Sequence, residues 1–199
     1  MQDNYDDSIR RFPLHRRHDE EPTNLNSTSV YYTDVVSWTR DHLEALNDTP
    51  QVQESNVNGS ASHNLIADKP CSAVGTRDAV LITAHVDSIN IQGGSIAPTP
   101  GADDNARGSA DLLERARVFA THQSARDIRF MLFGGEEEGL YGNTQYFASL
   151  AESERSRIRS IVNMDMINNE YPDTQCDARR CALEGRQHQW EHPLNQRHE

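Results

Sequence analysis

The sequence predicts an α/β domain with a mostly parallel central sheet flanked by helices, and three observations carry that prediction. The run AVLITA (79–84) is apolar on both faces, as in a strand at the centre of a sheet covered on both sides. A second buried strand follows at 128–133, directly ahead of the glutamates of FGGEEEGLYG. Segments with helical spacing alternate with these runs, the order that builds a parallel sheet through crossover helices. A chain of 199 residues suits one domain with a sizeable core and is short for two.

Taken in order, residues 1–29 are polar, carry Pro13 and Pro22, and read as a disordered extension. The domain is expected over 30–168. Tyr32, Val35, Val36, Thr39, Leu43 and Leu46 recur at helical spacing, and Asn47-Asp48-Thr49-Pro50 closes that helix. A short strand at 63–67 and a turn-rich piece around Pro70 and Gly75 precede the strand 79–84. Residues 89–101 form a Gly- and Pro-rich loop. Leu112, Leu113, Ala116, Phe119 and Ala120 mark the next helix, followed by the strand 128–133, a short helix at 143–150 and a strand at 158–164. Beyond Asn168 no period is sustained, and 169–199 reads as an irregular polar tail.

The formal charge of −12 argues against nucleic acid or an anionic membrane as partner, since phosphate binding needs a basic face. No run approaches the roughly 20 apolar residues of a membrane helix, and the charged N-terminus is no secretory signal. Cys71, Cys176 and Cys181 are an odd set that fits neither a disulfide framework nor a thiolate zinc site; Cys176 and Cys181 could pair locally. The triplets starting at Asn26, Asn47 and Asn58 match the glycosylation pattern, which chance also produces.

Chemistry gathers at strand ends, where open α/β sheets bind ligands. His85 follows a strand core, and strand alternation puts the Asp87 carboxylate on the same side, able to fix the imidazole tautomer. Asp103 and Asp104 precede a helix and are equally readable as helix caps. Three adjacent carboxylates, Glu136 to Glu138, require solvent or a cation, and the glycines around them can aim neighbouring side chains differently. Asp165, embedded in the apolar stretch IVNMDMI, needs a partner of its own. A solvated strand end, a solvated acidic loop and a backbone-bonded core Asp are the plain alternatives. Together, one His and three acids at successive strand ends make a ligand set for Zn²⁺, with a glutamate left over as base.

AHVDS, PGADDNA, GGEEEGLYG and VNMDMI, in this order, resemble the zinc-dependent aminopeptidases of the bacterial leucyl aminopeptidase type, peptidase family M28, over about residues 30–168. The resemblance implies a zinc exopeptidase fold with two zinc ions bridged by Asp104, His85 and Asp165 on one ion and Glu137 on the other. It implies Glu136 as general base, Asp87 as the partner that orients His85, and a cis peptide between Asp104 and Asn105. Asp103 and Glu138 receive no role from it, and Glu138 is expected to be a solvated bystander. The implied activity is that of a metalloprotease, a hydrolase taking residues from peptide or protein N-termini. Many relatives are secreted.

Two departures stand against it. The family's second zinc takes a His from a region well beyond the last acid, and no flanking pattern around His188, His192 or His198 matches it. The expectation is therefore a C-terminally incomplete domain with one tight zinc and little or no peptidase activity. Arg107 stands where a small residue is usual, either crowding the Asp104 loop or pairing with a neighbouring acid. A catalytically inactive binding domain, and a cyclase or carboxypeptidase on the same scaffold, are the alternatives.

Overall fold

The computed structural model describes residues 27–46, 48–75, 77–89 and 101–167. The N-terminal extension before Ser27, most of the 89–101 loop, the tail 169–199 with its three histidines, Cys176 and Cys181 lie outside the described residues.

Helix α1 (Val30–Ala45) starts at Ser29, whose Oγ accepts the Tyr32 N–H at 3.1 Å and so satisfies one of the free donors of the first turn. Strands β1 (Gln51–Val57) and β2 (Ser60–Lys69) form a hairpin over Asn58 and Gly59, at φ 51° and 90°. Both turn residues have positive φ, which Asn-Gly accommodates and which matches the twist of the flanking strands. Strand β3 (Ala79–His85) is followed by a wide turn, Ala102–Ala106, helix α2 (Arg107–Ala120) and strand β4 (Asp127–Phe133). Helix α3 (Tyr141–Ser149), the single turn α4 (Glu152–Arg155) and strand β5 (Ile158–Asn163) complete the described elements. Among the described residues no helix is long and apolar enough to cross a membrane.

The five strands lie in the order β1-β2-β4-β3-β5. The class is α/β as expected, and the sheet is mixed: β3 pairs in parallel with both β4 and β5, while β2 runs antiparallel to β1 and β4. The antiparallel half is the β1–β2 hairpin, whose first strand the polar sequence QVQESNV does not advertise and only Asn58-Gly59 signals.

Side-chain alternation splits the core into two layers. Leu65 and Ala67 of β2, Ile82 and Ala84 of β3, and Ile128, Phe130 and Leu132 of β4 face α1 and α2, meeting Tyr32, Val35, Val36, Leu43, Leu112 and Leu113. Ile66, Leu81, Met131 and Phe133 point to the opposite face and pack with Tyr146 of α3. Each fully buried Leu or Phe contributes about 1.5–3 kcal/mol, so this double-sided packing fixes β3 and β4 as the rigid centre from which the site projects. Strand β5 differs: among the described residues it is an outer strand, and Ile161 and Val162 are 48% and 46% exposed.

Candidate metal centre

Because β4, β3 and β5 are parallel neighbours, their carboxyl ends open on one edge of the sheet. His85, the last residue of β3, lies level with Phe133 of β4, and Thr83 lies level with Asn163 of β5. Two residues further along β5's path comes Asp165, and three beyond Phe133 comes Glu136. Topology thus gathers what the sequence spreads over 80 positions.

His85 is buried, and its two ring nitrogens face different partners. Nε2 lies 3.1 Å from Asp104 Oδ1 and 3.6 Å from Asp165 Oδ1. Nδ1 lies 3.1 Å from the backbone oxygen of Asp87 and 3.7 Å from its Oδ1. Asp87 thus faces Nδ1, but the hydrogen bond runs to its main chain and not to the expected carboxylate. Donation from Nδ1–H to this carbonyl leaves Nε2 directed at the two aspartates. Burial pulls the His85 pKa down, yet the carboxylates of Asp104, Asp165 and Asp87 outweigh it and hold the imidazole well above its usual value.

The aspartates are brought together by the side chain of Asn105, a residue named in the sequence reading only for the cis peptide before it. Its Nδ2 donates to the Met164 carbonyl at 2.8 Å, and its Oδ1 accepts from the N–H groups of Gly108 (3.1 Å) and Met166 (3.3 Å). One side chain beside Asp104 thus grips both residues flanking Asp165. Position 108 has to be glycine here: a Cβ would stand 2.3 Å from Asn105 Oδ1 and 2.4 Å from Met164 O. Ser109 adds a second tie, donating from Oγ to the His85 carbonyl at 2.7 Å. The Asp104–Asn105 peptide is cis, as the resemblance implied. Neither Asp103 nor Asp104 caps α2, whose first-turn Gly108 N–H is taken by Asn105; Asp103 instead pairs with Arg107 at 2.8 Å.

Asp165 departs from expectation in its surroundings. It sits past the end of β5 with its side chain 42% exposed, β5 being an outer strand among the described residues. It stands at the sheet edge beside His85, and burial is not what constrains it.

The glutamates follow β4 in a tightly knit loop. The Glu136 carbonyl accepts from the N–H groups of Gly139 and Leu140, and Gly134 and Gly135 carbonyls accept from Gly142 and Tyr141. Asp87, fully buried, accepts the Glu137 N–H on Oδ2 at 3.1 Å and so joins this loop to the His85 strand. Burial raises the pKa of Glu137 to about 8, reinforced by the charges of Asp104, Glu136 and Asp87 and opposed by His85. Glu136 is raised for the same leading reason, burial, with His85 again the favourable neighbour. Glu138 is not a solvated bystander: burial and the adjacent Asp87 raise it to about 7, while Ser27 hydrogen-bonds its carboxyl and pulls the other way.

The donor set fits a metal ion. One ligand atom each from His85, Asp104 and Asp165 can be chosen so that all lie within 4.8 Å of one another, the nitrogen and carboxylate oxygens that zinc accepts. The crowding of carboxyls around His85 Nε2 is what a dication relieves. Glu137 stands beside this group and is not part of it.

The sequence model of "Peptidase family M28" matches residues 64–199. This chain belongs to peptidase family M28. Among curated relatives it is 37% identical over 110 residues to the aminopeptidase YwaD of Bacillus subtilis, covering 55% of this chain and 23% of that protein. Among solved structures it matches BSAP, a zinc aminopeptidase from Bacillus subtilis, at 35% identity and a TM-score of 0.52 over 59% of this chain and 27% of that one. A glutaminyl cyclase from Bacteroides thetaiotaomicron shares the fold, with a TM-score of 0.63 at 19% identity over 83% of this chain and 63% of that one. The chain spans about a quarter of the length of the curated relatives it matches.

Proposed function

We propose that this chain is the metal-binding part of a zinc-dependent aminopeptidase, a hydrolase that removes residues from peptide or protein N-termini. Family membership and the likeness to a zinc aminopeptidase support the reading. The single observation that carries it is the convergence of His85 Nε2 with the carboxylates of Asp104 and Asp165.

Zinc held by His85, Asp104 and Asp165 would polarise water and the scissile carbonyl as a Lewis acid. Asp87 holds the imidazole so that Nε2 stays turned to the aspartates. Glu136, half-buried and raised by that burial, accepts the proton of the attacking water on its carboxylate and delivers it to the leaving amine nitrogen. The acidic surroundings attract the positive α-amino group of a substrate and disfavour a C-terminal carboxylate. The likeness to aminopeptidases at 35–37% identity, against 19% to the glutaminyl cyclase, supports hydrolysis over cyclisation.

Glu137 and Asp104 are the candidate ligands of a second ion, but among the described residues they form no three-ligand group of their own. One tight zinc per chain is the expected stoichiometry.

The test is hydrolysis of an aminoacyl-anilide by the purified chain with defined zinc. Activity should require zinc, be slow in a chain holding one ion, and fall by about 10²–10⁴-fold in Glu136→Gln, which should still bind zinc. Hydrolysis that survives chelation or the Glu136→Gln change would refute the assignment.

A further inference from the structure

Glu138 has no part in the proposed chemistry, yet the structure holds it from a distant point of the chain. The Ser27 backbone N–H donates to Glu138 Oε1 at 3.3 Å, and Ser27 Oγ donates to Oε2 at 3.1 Å, across a sequence separation of 111. Ser27 is buried and stands just ahead of α1. The same end of α1 meets the loop again through Tyr32, whose hydroxyl donates to the His63 carbonyl and lies so close to Gly134 that a Cβ there would be 2.0 Å from it. On its other side Glu138 contacts Asp87, which accepts the Glu137 N–H and adjoins His85 Nδ1.

We propose that Ser27 and Glu138 form a clamp by which the start of α1 positions the glutamate loop, so that Glu138 is a positioning residue for Glu136, Glu137 and, through Asp87, His85. The physical reason is one of direction. Three adjacent carboxylates repel and would splay into solvent; tying the third rearward to a neutral two-point donor turns the first two toward the sheet edge. Ser27 suits the task because its N–H and hydroxyl reach both oxygens without adding a charge that would compete with a bound cation. The functional meaning of this clamp rests on the reading of Glu136 and Glu137 given above, while the clamp itself can be tested without metal.

The experiment compares the full chain with Ser27→Ala, Glu138→Leu and Glu138→Gln, first metal-free by amide hydrogen exchange and then by zinc calorimetry. Glu138→Leu, which removes both bonds from Ser27, should speed exchange of the amides of 136–141 by about 10-fold or more and leave the β1–β2 hairpin unchanged. Ser27→Ala, which keeps the backbone N–H, should give a smaller change in the same amides. Glu138→Gln should fall between the parent and Glu138→Leu, close to Ser27→Ala, because its single amide oxygen can keep only one of the two bonds from Ser27 while its NH₂ can donate to Asp87. Zinc affinity should follow the same order, falling about 10-fold in Glu138→Leu and less than that in Glu138→Gln and Ser27→Ala. Parent-like exchange in Glu138→Leu, or a Glu138→Gln chain as loosened as Glu138→Leu, overturns the clamp. If Glu138→Leu unfolds the whole domain, Ser27→Ala decides: unchanged exchange in 136–141 overturns the clamp, and local loosening supports it. Failure of the parent to bind zinc would count against the metal reading, while the exchange rates would still support or overturn the clamp.

Discussion

The two ends of the central strands handle the same residue type in opposite ways. At the start of β4, Asp127 accepts from the Cys71 N–H at 2.9 Å, Arg77 at 3.1 Å and Arg157 at 2.5 Å. Although burial pushes its pKa up, these partners hold it below the usual carboxylate value. Beyond the end of the same strand, Glu136, Glu137 and Glu138 are all raised, with burial as the leading cause. At that end the chain sets carboxyls around a single imidazole, and Arg107 engages Asp103 in place of Asp104. One end is neutralised by the protein's own arginines; the other leaves an excess of negative charge that an external cation would offset. Charge that is already matched serves stability, whereas charge left unmatched at a rigid sheet edge marks a binding site.

Substitutions on either side can break this contrast. The largest effect is expected for His85→Ala, which removes the one nitrogen donor of the group: zinc affinity should drop by more than about 100-fold, beyond the range seen for residues that only orient a ligand. Asn105→Ala comes next. It frees Asp104 from the residues flanking Asp165 and should weaken zinc binding by about 10–100-fold in calorimetry while both carboxylates remain. Asp127→Asn, at the opposite end, should cost about 1–3 kcal/mol of unfolding free energy in denaturant melts and leave zinc affinity unchanged. Arg107→Ala should be the mildest, altering stability by less than about 1 kcal/mol, because its pair with Asp103 is half exposed.

The contrast also has a pH signature. Glu137 and Glu138, raised to about 8 and about 7 from 4.5, hold protons in the folded chain that the unfolded chain releases. Their contribution is present below pH 4.5 and is lost as pH climbs through those values; His85, also raised, acts in the same direction above 6.5. The metal-free melting temperature should therefore fall between about pH 5 and pH 8.5, and Glu137→Gln should flatten that fall. Zinc should offset it, because its ligands bind best deprotonated. Asp127, lowered, acts oppositely and only in acid, its contribution disappearing below 3.8.

Much of this site was legible in the sequence because ligand-type residues stand directly after apolar strand runs. His85 and the glutamates follow the two most strongly patterned strands, and those strands are the packed centre of the sheet. What was not legible depends on separation. Asn105 acts on backbone groups 59 and 61 residues away, and Ser27 on a carboxyl 111 residues away, contacts that no local pattern encodes. The apolar run at 158–164 suggested enclosure of Asp165, but apolarity does not tell a central strand from an outer one, and among the described residues β5 is an outer strand with Asp165 partly exposed. Strand β1 escaped because a polar, exposed strand lacks the alternation that identifies one, leaving its Asn-Gly turn as the sole cue.

The central claim, that the carboxyl end of β3 is a cation site and the amino end of β4 is not, is tested most directly by zinc calorimetry on the metal-free chain beside His85→Ala and Asp127→Asn. The account predicts one tight site in the parent, the same site in Asp127→Asn, and its loss in His85→Ala. A parent that takes up no zinc, or a His85→Ala chain that binds as tightly as the parent, would contradict it.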